Sequence, residues 1–369
     1  MHYKRMPIEV ESPEEMGYSS IRYNLAESSV RDIRFGDLSI DLNNLVLCYG
    51  EHRGDSALRE AIVREETGLD KTHVLVCPSA ATALFIISTT LLNAGDHLIV
   101  LRPNYATNIE TPKAIGCSIT YIDVVFEQQF QPDWQQILDA IQPNTKLISL
   151  TTPHNPTGII LEDAEVQKII RAAEEKGIFV LTDETYRYLD FQQPRCPYYA
   201  AFSDHVISVA SLSKAHGAPG IRTGWIICKN ELLMEQMLAA KEQIIIANSV
   251  VDEAIALHLL NDTSRLTETH EHIRNNFAIL QSWMAAQEYL EWVAPSAGVV
   301  GFPRIKAAYN VDTDKFYRLL YEVYGTMTGA GHWFEQSDRY MRIGFGYPTQ
   351  EELKQGLENI TIALRQSLS

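Results

Sequence analysis

An α/β layered domain on a mostly parallel seven-stranded sheet, followed by a smaller α+β domain, is the fold class that this 369-residue chain predicts. Three observations predict it. Between about residues 55 and 230, seven short apolar runs alternate with amphipathic stretches, as strands and helices stacked in layers do. Each run has four or five residues and is bounded by polar or turn residues, as a strand buried on both faces should be. After Leu232 the alternation stops, and long stretches with few turn breakers read as helices.

Taken in order, the first 45 residues lack clear periodicity. They are expected to form an arm packed on the smaller domain or on another subunit. The seven runs follow at 74–77, 97–101, 119–122, 146–150, 178–181, 206–209 and 225–228. Amphipathic stretches at 133–141 and 163–176 supply crossover helices, and residues 232–288 read as long helices. From Trp292 onward, short strands at 299–303 and 340–345 mix with helices at 313–324 and 350–368. The expected division is an arm and part of the small domain at 1–45, a large domain at 46–280 and a small domain at 281–369. Ligands of such sheets bind beyond the carboxyl ends of the strands, so chemistry is sought just after each run.

Composition narrows the function. Hydrophobic residues are 46% and charged residues 21%, ordinary globular values that exclude disorder and fibrous repeats. Net charge is −16, and no window holds a dense Lys/Arg cluster, which argues against nucleic acid as a partner. Cys48, Cys77, Cys117, Cys196 and Cys228 stand singly, and an odd count with no CxxC pair points to reduced thiols in a cytoplasmic protein. The opening residues carry no apolar h-region, so no secretory signal is expected. Residues 74–95 hold no charge for 22 positions, long enough to span a bilayer. Pro78, Ser79, Thr82, Ser88, Thr89, Thr90 and Asn93 interrupt them, and the segment reads instead as a buried strand, a small-residue turn and a buried helix. No membrane is expected. His270 and His272, two apart on a helix, make a poor metal pair, His216 reads as a packing residue, and no metal site is predicted. Neither GxGxxG nor GxxxxGK[ST] occurs.

The strongest local signal begins at Ser211 and runs through Lys214 and Arg222 to Gly224 and Trp225. A lysine at the carboxyl end of a buried strand, among small residues, is poorly placed as a surface charge and well placed as a nucleophilic amine for a Schiff base. The glycines allow close backbone approach, and Arg222 offers a planar fork for a phosphate. A loop lysine beside a structural arginine is the plainer reading of the same residues. Three more elements follow predicted strands: Pro103-Asn104-Tyr105, Asn155-Pro156-Thr157-Gly158, and Asp183-Glu184 with Tyr186. Taken singly these are also a core tyrosine, an ordinary turn and a capping aspartate.

Together, in this order and spacing, the four elements resemble the class I/II aminotransferases, the fold type I enzymes dependent on pyridoxal 5′-phosphate (PLP). The resemblance covers the chain from about Leu45 to the C-terminus. It implies that Lys214 carries the cofactor as a Schiff base and moves protons. Asp183 would keep the pyridine nitrogen protonated, Tyr186 and Asn155 would bond the ring's phenolic oxygen, and Tyr105 would stack on the ring. The charge-free segment then gains a role. The phosphate turn falls at Ser79-Ala80-Ala81, where amides at a helix N-terminus hold an anion, completed by Ser211 and Arg222. The family usually has a glycine in this turn, so Ser79-Ala80 is a departure. Tyr49, with Gly54, Leu58 and Arg59 beyond it, resembles the element whose tyrosine crosses a dimer interface to the partner's cofactor, which implies a homodimer. Alternatively it is a buried core tyrosine. Arg342, in Arg342-Ile343-Gly344-Phe345, is expected to bind the substrate α-carboxylate, with Arg339 on the opposite strand face; a surface strand arginine is the alternative.

The implied reaction is transfer of an amino group between an amino acid and a 2-oxo acid. The segment from Ala297 to Arg304, with Arg342-Ile343-Gly344-Phe345 and Phe35-Gly36-Asp37-Leu38, also resembles the capreomycidine synthase subgroup, which implies elimination or cyclisation on the same cofactor. A non-catalytic regulatory module is a third class. The acidic charge and the near-immediate start of the enzyme-like region speak against it.

Overall fold

The computed structural model describes residues 2–190 and 197–368; Cys196 lies outside them. An N-terminal arm carries two short helices, α1 (Pro7–Glu11) and α2 (Pro13–Met16), and strand β1 (Tyr23–Leu25). The main layer follows as α3 (Ser56–Val63), β2 (Val74–Cys77), α4 (Ala80–Leu91), β3 (His97–Arg102), α5 (Thr107–Ile115), β4 (Ser118–Asp123), α6 (Trp134–Asp139), β5 (Thr145–Thr151), α7 (Asp163–Glu174), β6 (Phe179–Asp183), β7 (Val206–Ser211) and β8 (Gly224–Cys228). Three longer helices come next: α8 (Glu231–Ile245), α9 (Val250–Asn261) and α10 (Thr263–Ala285). The C-terminal part holds β9 (Leu290–Glu291), β10 (Val300–Gly301), β11 (Arg304–Ile305), α11 (Thr313–Arg318), β12 (Thr326–Ala330), β13 (Met341–Gly344) and α12 (Gln350–Gln366).

All seven predicted runs are strands of one sheet, ordered β2-β8-β7-β6-β5-β3-β4. Only β8 runs against its neighbours. Burial on both faces is why the runs lack alternation. In β3, Ile99 and Leu101 enter one core cluster while Leu98 and Val100 enter the other. Helix α7 shows the complementary pattern, with Val166, Ile169, Ile170 and Ala173 buried along one stripe. The register aligns Thr151 with Asp183, Asp183 with Val209, Ser211 with Gly224 and Gly224 with Cys77. The residues after these strands therefore share one rim.

A second sheet has the order β1-β12-β13-β10. The arm enters it through β1, which pairs in parallel with β12. Leu25 of β1 is fully buried and packs so tightly on α12 that a Cβ at Gly356 would lie 2.7 Å from its Cδ1. Helix α12 starts with a Thr349–Glu352 capping box and buries Leu353, Leu357, Ile360 and Leu364. The predicted helix at 313–324 is α11 followed by one π-turn at Leu319–Val323. Among the described residues, Cys48, Cys77, Cys117 and Cys228 are free thiols. Among the described residues, no helix is long and apolar enough to cross a membrane.

Candidate active site

The rim of the large sheet collects side chains from β6, β7 and the turns after β2, β3 and β5. Lys214 follows β7, is half-buried, and donates from Nζ to Ser28 Oγ at 3.0 Å. Its backbone carbonyl accepts from Val30 N at 3.2 Å, so the arm is fastened directly over the lysine. Asp183 ends β6 and is 4% exposed. Burial pushes its carboxyl up, against the Thr185 hydroxyl and amide, the Asn108 amide and the Lys214 charge, which pull it down. Tyr186, also 4% exposed, has a phenolic oxygen with no hydrogen-bond partner among the described residues. A buried phenol left unpaired costs free energy unless a ligand completes it.

The turn after β2 leads into α4. Ser79 is its N-cap, with Oγ accepting from Thr82 N at 3.0 Å. The amides of Ala80 and Ala81 lie in the first turn and have no intrahelical acceptor. Gly224 stands against this turn. A Cβ there would lie 2.5 Å from Ala80 N and 2.6 Å from Ser79 C, so the close approach admits only glycine. Ser211 pairs in register with Gly224 and is buried. Arg222 is exposed at φ 42°, with Nη1 donating to Pro219 O.

Arg342 comes from β13 of the smaller sheet. It is 4% exposed, with Nη1 donating to Asn155 Oδ1 at 3.1 Å and Nη2 to Ala26 O at 2.7 Å. Its Nε has no partner among the described residues, and the Phe334 ring lies 4.9 Å from its Cζ. No described carboxylate forms an ion pair with it, and burial lowers its pKa from the usual arginine range. The contrast with Arg187 is informative, since that arginine is equally buried but held by Glu66 and Glu184. Gly329 faces Arg342 across the β12–β13 pair, where a Cβ would come within 3.2 Å of Arg342 Cβ.

The structure thus brings Lys214, Asp183, Tyr186, Asn155, Arg342 and the Ser79–Ala81 turn to one region. Tyr105 lies at the entrance to α5, 37% exposed, with its amide bonded to Asn104 Oδ1 at 2.7 Å. Tyr49 is not brought in. It is 83% exposed, while the rest of its element does structural work: Arg59 Nε donates to Gly54 O at 2.9 Å and Nη2 pairs with Glu51 at 2.6 Å. Arg339 is structural, donating from Nη2 to the carbonyls of Ile305, Lys306 and Tyr309. His270 and His272 each meet a backbone carbonyl, and His216 is buried against Tyr188. Sequence reasoning assigned no individual role to Ser28, Ala26, Asn108 or Thr185. The first two lie in the arm without periodicity, and the others are common polar residues inside recognised elements. His154 was given none either. It joins the turn at Asn155 to the Tyr105 loop through Thr157 Oγ1 and Pro103 O, both at 2.9 Å.

These residues fit a phosphorylated pyridine aldehyde. An unpaired buried phenol, a buried carboxylate, an amine on a neutral hydroxyl and a backbone cradle beside Gly224 match its four polar ends.

Comparison with known proteins agrees with this geometry. The family described as aminotransferase class I and II matches residues 31–360. Capreomycidine synthase of Streptomyces vinaceus is 27% identical over 354 residues, 93% of this chain and 90% of that one. A probable N-acetyl-LL-diaminopimelate aminotransferase of Bacillus subtilis is 24% identical over 331 residues, 88% of this chain and 83% of that one. The crystal structure of a PLP-dependent aminotransferase from Streptococcus suis superposes with a TM-score of 0.91 at 26% identity, covering 100% and 99% of the two chains.

Proposed function

Because the chain belongs to the class I and II aminotransferase family and is PLP-dependent, we propose that it transfers an amino group between an amino acid and a 2-oxo acid. The observation that carries this reading is Arg342: a buried guanidinium with, among the described residues, an unused Nε and no carboxylate paired to it, in the same site as the Lys214 amine. A buried cation lacking a counter-ion is matched by a ligand that brings one. The α-carboxylate of an amino acid does so.

When bound, PLP supplies the aldehyde for the Schiff base and a protonated ring that accepts electron density from the substrate Cα. The chain's residues do the rest. Lys214 Nζ would hold the cofactor and, once freed, would take the proton from the substrate Cα and deliver it to the cofactor's aldehyde carbon. Asp183 would accept a hydrogen bond from the protonated ring nitrogen. Tyr186 and Asn155 would donate to the phenolic oxygen, and Tyr105 would cover the ring. Ala80 N, Ala81 N, Ser211 and Arg222 would hold the phosphate. Arg342 fixes the substrate carboxylate and so the orientation of the Cα–H bond.

Tyr49 completes the site from a partner subunit in a cytoplasmic homodimer. What supports this is its exposure beside Val46 and Leu47, which are 72% and 78% exposed, an apolar strip of the kind that marks an interface. Mixing Lys214→Ala subunits with Tyr49→Ala subunits would then restore activity that neither variant has alone.

A second reading is an elimination or cyclisation on the same cofactor, favoured by the likeness to capreomycidine synthase along nearly the whole chain. One experiment separates the two. The enzyme is given a single amino acid and no oxo-acid acceptor, and product per subunit is measured. A transaminase stops after about one equivalent of oxo acid. Continued turnover without an acceptor would reject transamination.

A further inference from the structure

Asp183 lies in a buried polar chain that crosses three elements. Asn104 Oδ1 accepts from Tyr105 N at 2.7 Å, from Asn108 Nδ2 at 3.1 Å and from Thr151 Oγ1 at 3.1 Å, while Asn104 Nδ2 donates to Leu101 O at 3.2 Å. Every polar atom of that amide is used, so its orientation is fixed. The Asn108 amide nitrogen must then face Asn104 Oδ1, and from there it also reaches Asp183 Oδ2 at 3.4 Å. Asn108 Oδ1 accepts from Ser149 Oγ at 3.4 Å. Flipping Asn108 would set its oxygen against two other oxygens. Asn108 is 3% exposed, so no water shell substitutes for these partners.

On the other side, Asp183 Oδ1 accepts from Thr185 Oγ1 at 2.6 Å and from Thr185 N at 3.2 Å. Three donors thus serve a group with about four acceptor positions, leaving one for a ligand. The cation that acts on Asp183 is Lys214. Glu184, next in sequence, is engaged elsewhere, by Arg187, Thr182 and Tyr199 N. Burial alone pushes the Asp183 carboxyl up, because desolvation disfavours the charged form. Hydrogen bonds to the charged form are what oppose this.

We propose that Asn108 and Thr185 are positioning residues that keep Asp183 a carboxylate with one acceptor position open, and that Asn108 couples it to the loop carrying Tyr105. The role for a protonated ring nitrogen rests on the PLP reading above; the control of Asp183 protonation does not.

The test uses Thr185→Val, Thr185→Ser and Asn108→Ala, each also combined with Asp183→Asn. Infrared difference spectra of the apoenzymes, each variant minus its Asp183→Asn counterpart, follow the Asp183 carboxylate as pH falls. Losing one hydrogen bond to a charged group should raise its protonation midpoint by about one pH unit. That rise is expected for Thr185→Val and Asn108→Ala, with Thr185→Ser staying at the wild-type value. In the holoenzymes, the acid limb of kcat/KM should move in the same direction. Asn108→Ala should in addition weaken PLP binding to apoenzyme about tenfold, read by tryptophan fluorescence. A wild-type chain that binds no PLP would sink the cofactor role yet leave the infrared result standing. Unchanged midpoints in both Thr185→Val and Asn108→Ala, or a Thr185→Ser shift as large as that of Thr185→Val, would overturn the proposal.

Discussion

Replacing Arg342 with leucine should remove substrate recognition while sparing the fold. The guanidinium is nine-tenths buried or more, spends two donors on Ala26 O and Asn155 Oδ1, and keeps Nε unpaired. A seated α-carboxylate would make two charge-assisted hydrogen bonds, each contributing about 1.5–3 kcal/mol. Their joint loss is about 3–6 kcal/mol, and kcat/KM for an amino acid should fall roughly 10²- to 10⁴-fold. Leucine leaves no buried charge behind and fills part of the volume beside Phe334, but it strands Ala26 O and Asn155 Oδ1, so a stability loss of about 1–3 kcal/mol per acceptor is expected and activities are compared well below the variant's unfolding midpoint. The assay compares kcat/KM for an amino acid with that for the corresponding amine lacking the carboxylate, at equal PLP loading. Wild-type enzyme should prefer the amino acid strongly, and Arg342→Leu should lose that preference. Arg342→Lys keeps the charge without the fork and should fall between them. A variant that loads PLP normally and loses less than tenfold, or loses equally on both substrates, refutes the assignment.

Other outcomes follow from the same contacts. Lys214→Ala should bind PLP without forming the covalent link, seen as cofactor lost on desalting and no borohydride-trapped adduct. Arg187→Ala strands the buried carboxylates of Glu66 and Glu184 and should cost about 3–5 kcal/mol, read as a lower urea midpoint. His154 and His216 are buried, which pushes each imidazole down from 6.5 to about 4. The unfolded chain therefore binds these protons first, so their contribution is complete above about pH 6.5 and is lost as pH falls toward 4. Unfolding free energy should decline across that window, and His154→Gln should flatten the decline.

Much of the site was legible because its chemistry is tied to strand ends. Lys214, Asp183 and Asn155 each follow an apolar run, and apolar runs are visible without coordinates. Arg342 was legible as a strand residue, but its buried state without a carboxylate was not, since that depends on Ala26 and Asn155 arriving from distant segments. The arm was illegible for a related reason. β1 has three residues and is stabilised by pairing with β12, and β12 itself, Thr-Met-Thr-Gly-Ala, carries too little apolar periodicity to announce a strand.

By itself, the sequence determined the large sheet, the helices around it and the residue types at its rim, because hydrophobic periodicity and turn chemistry act locally. Only the tertiary structure decided that Ser28 meets Lys214, that Asn108 and Thr185 surround Asp183, and that Tyr49 faces outward. Those relations depend on the closure of segments up to hundreds of residues apart, and on which buried polar groups find partners when they close.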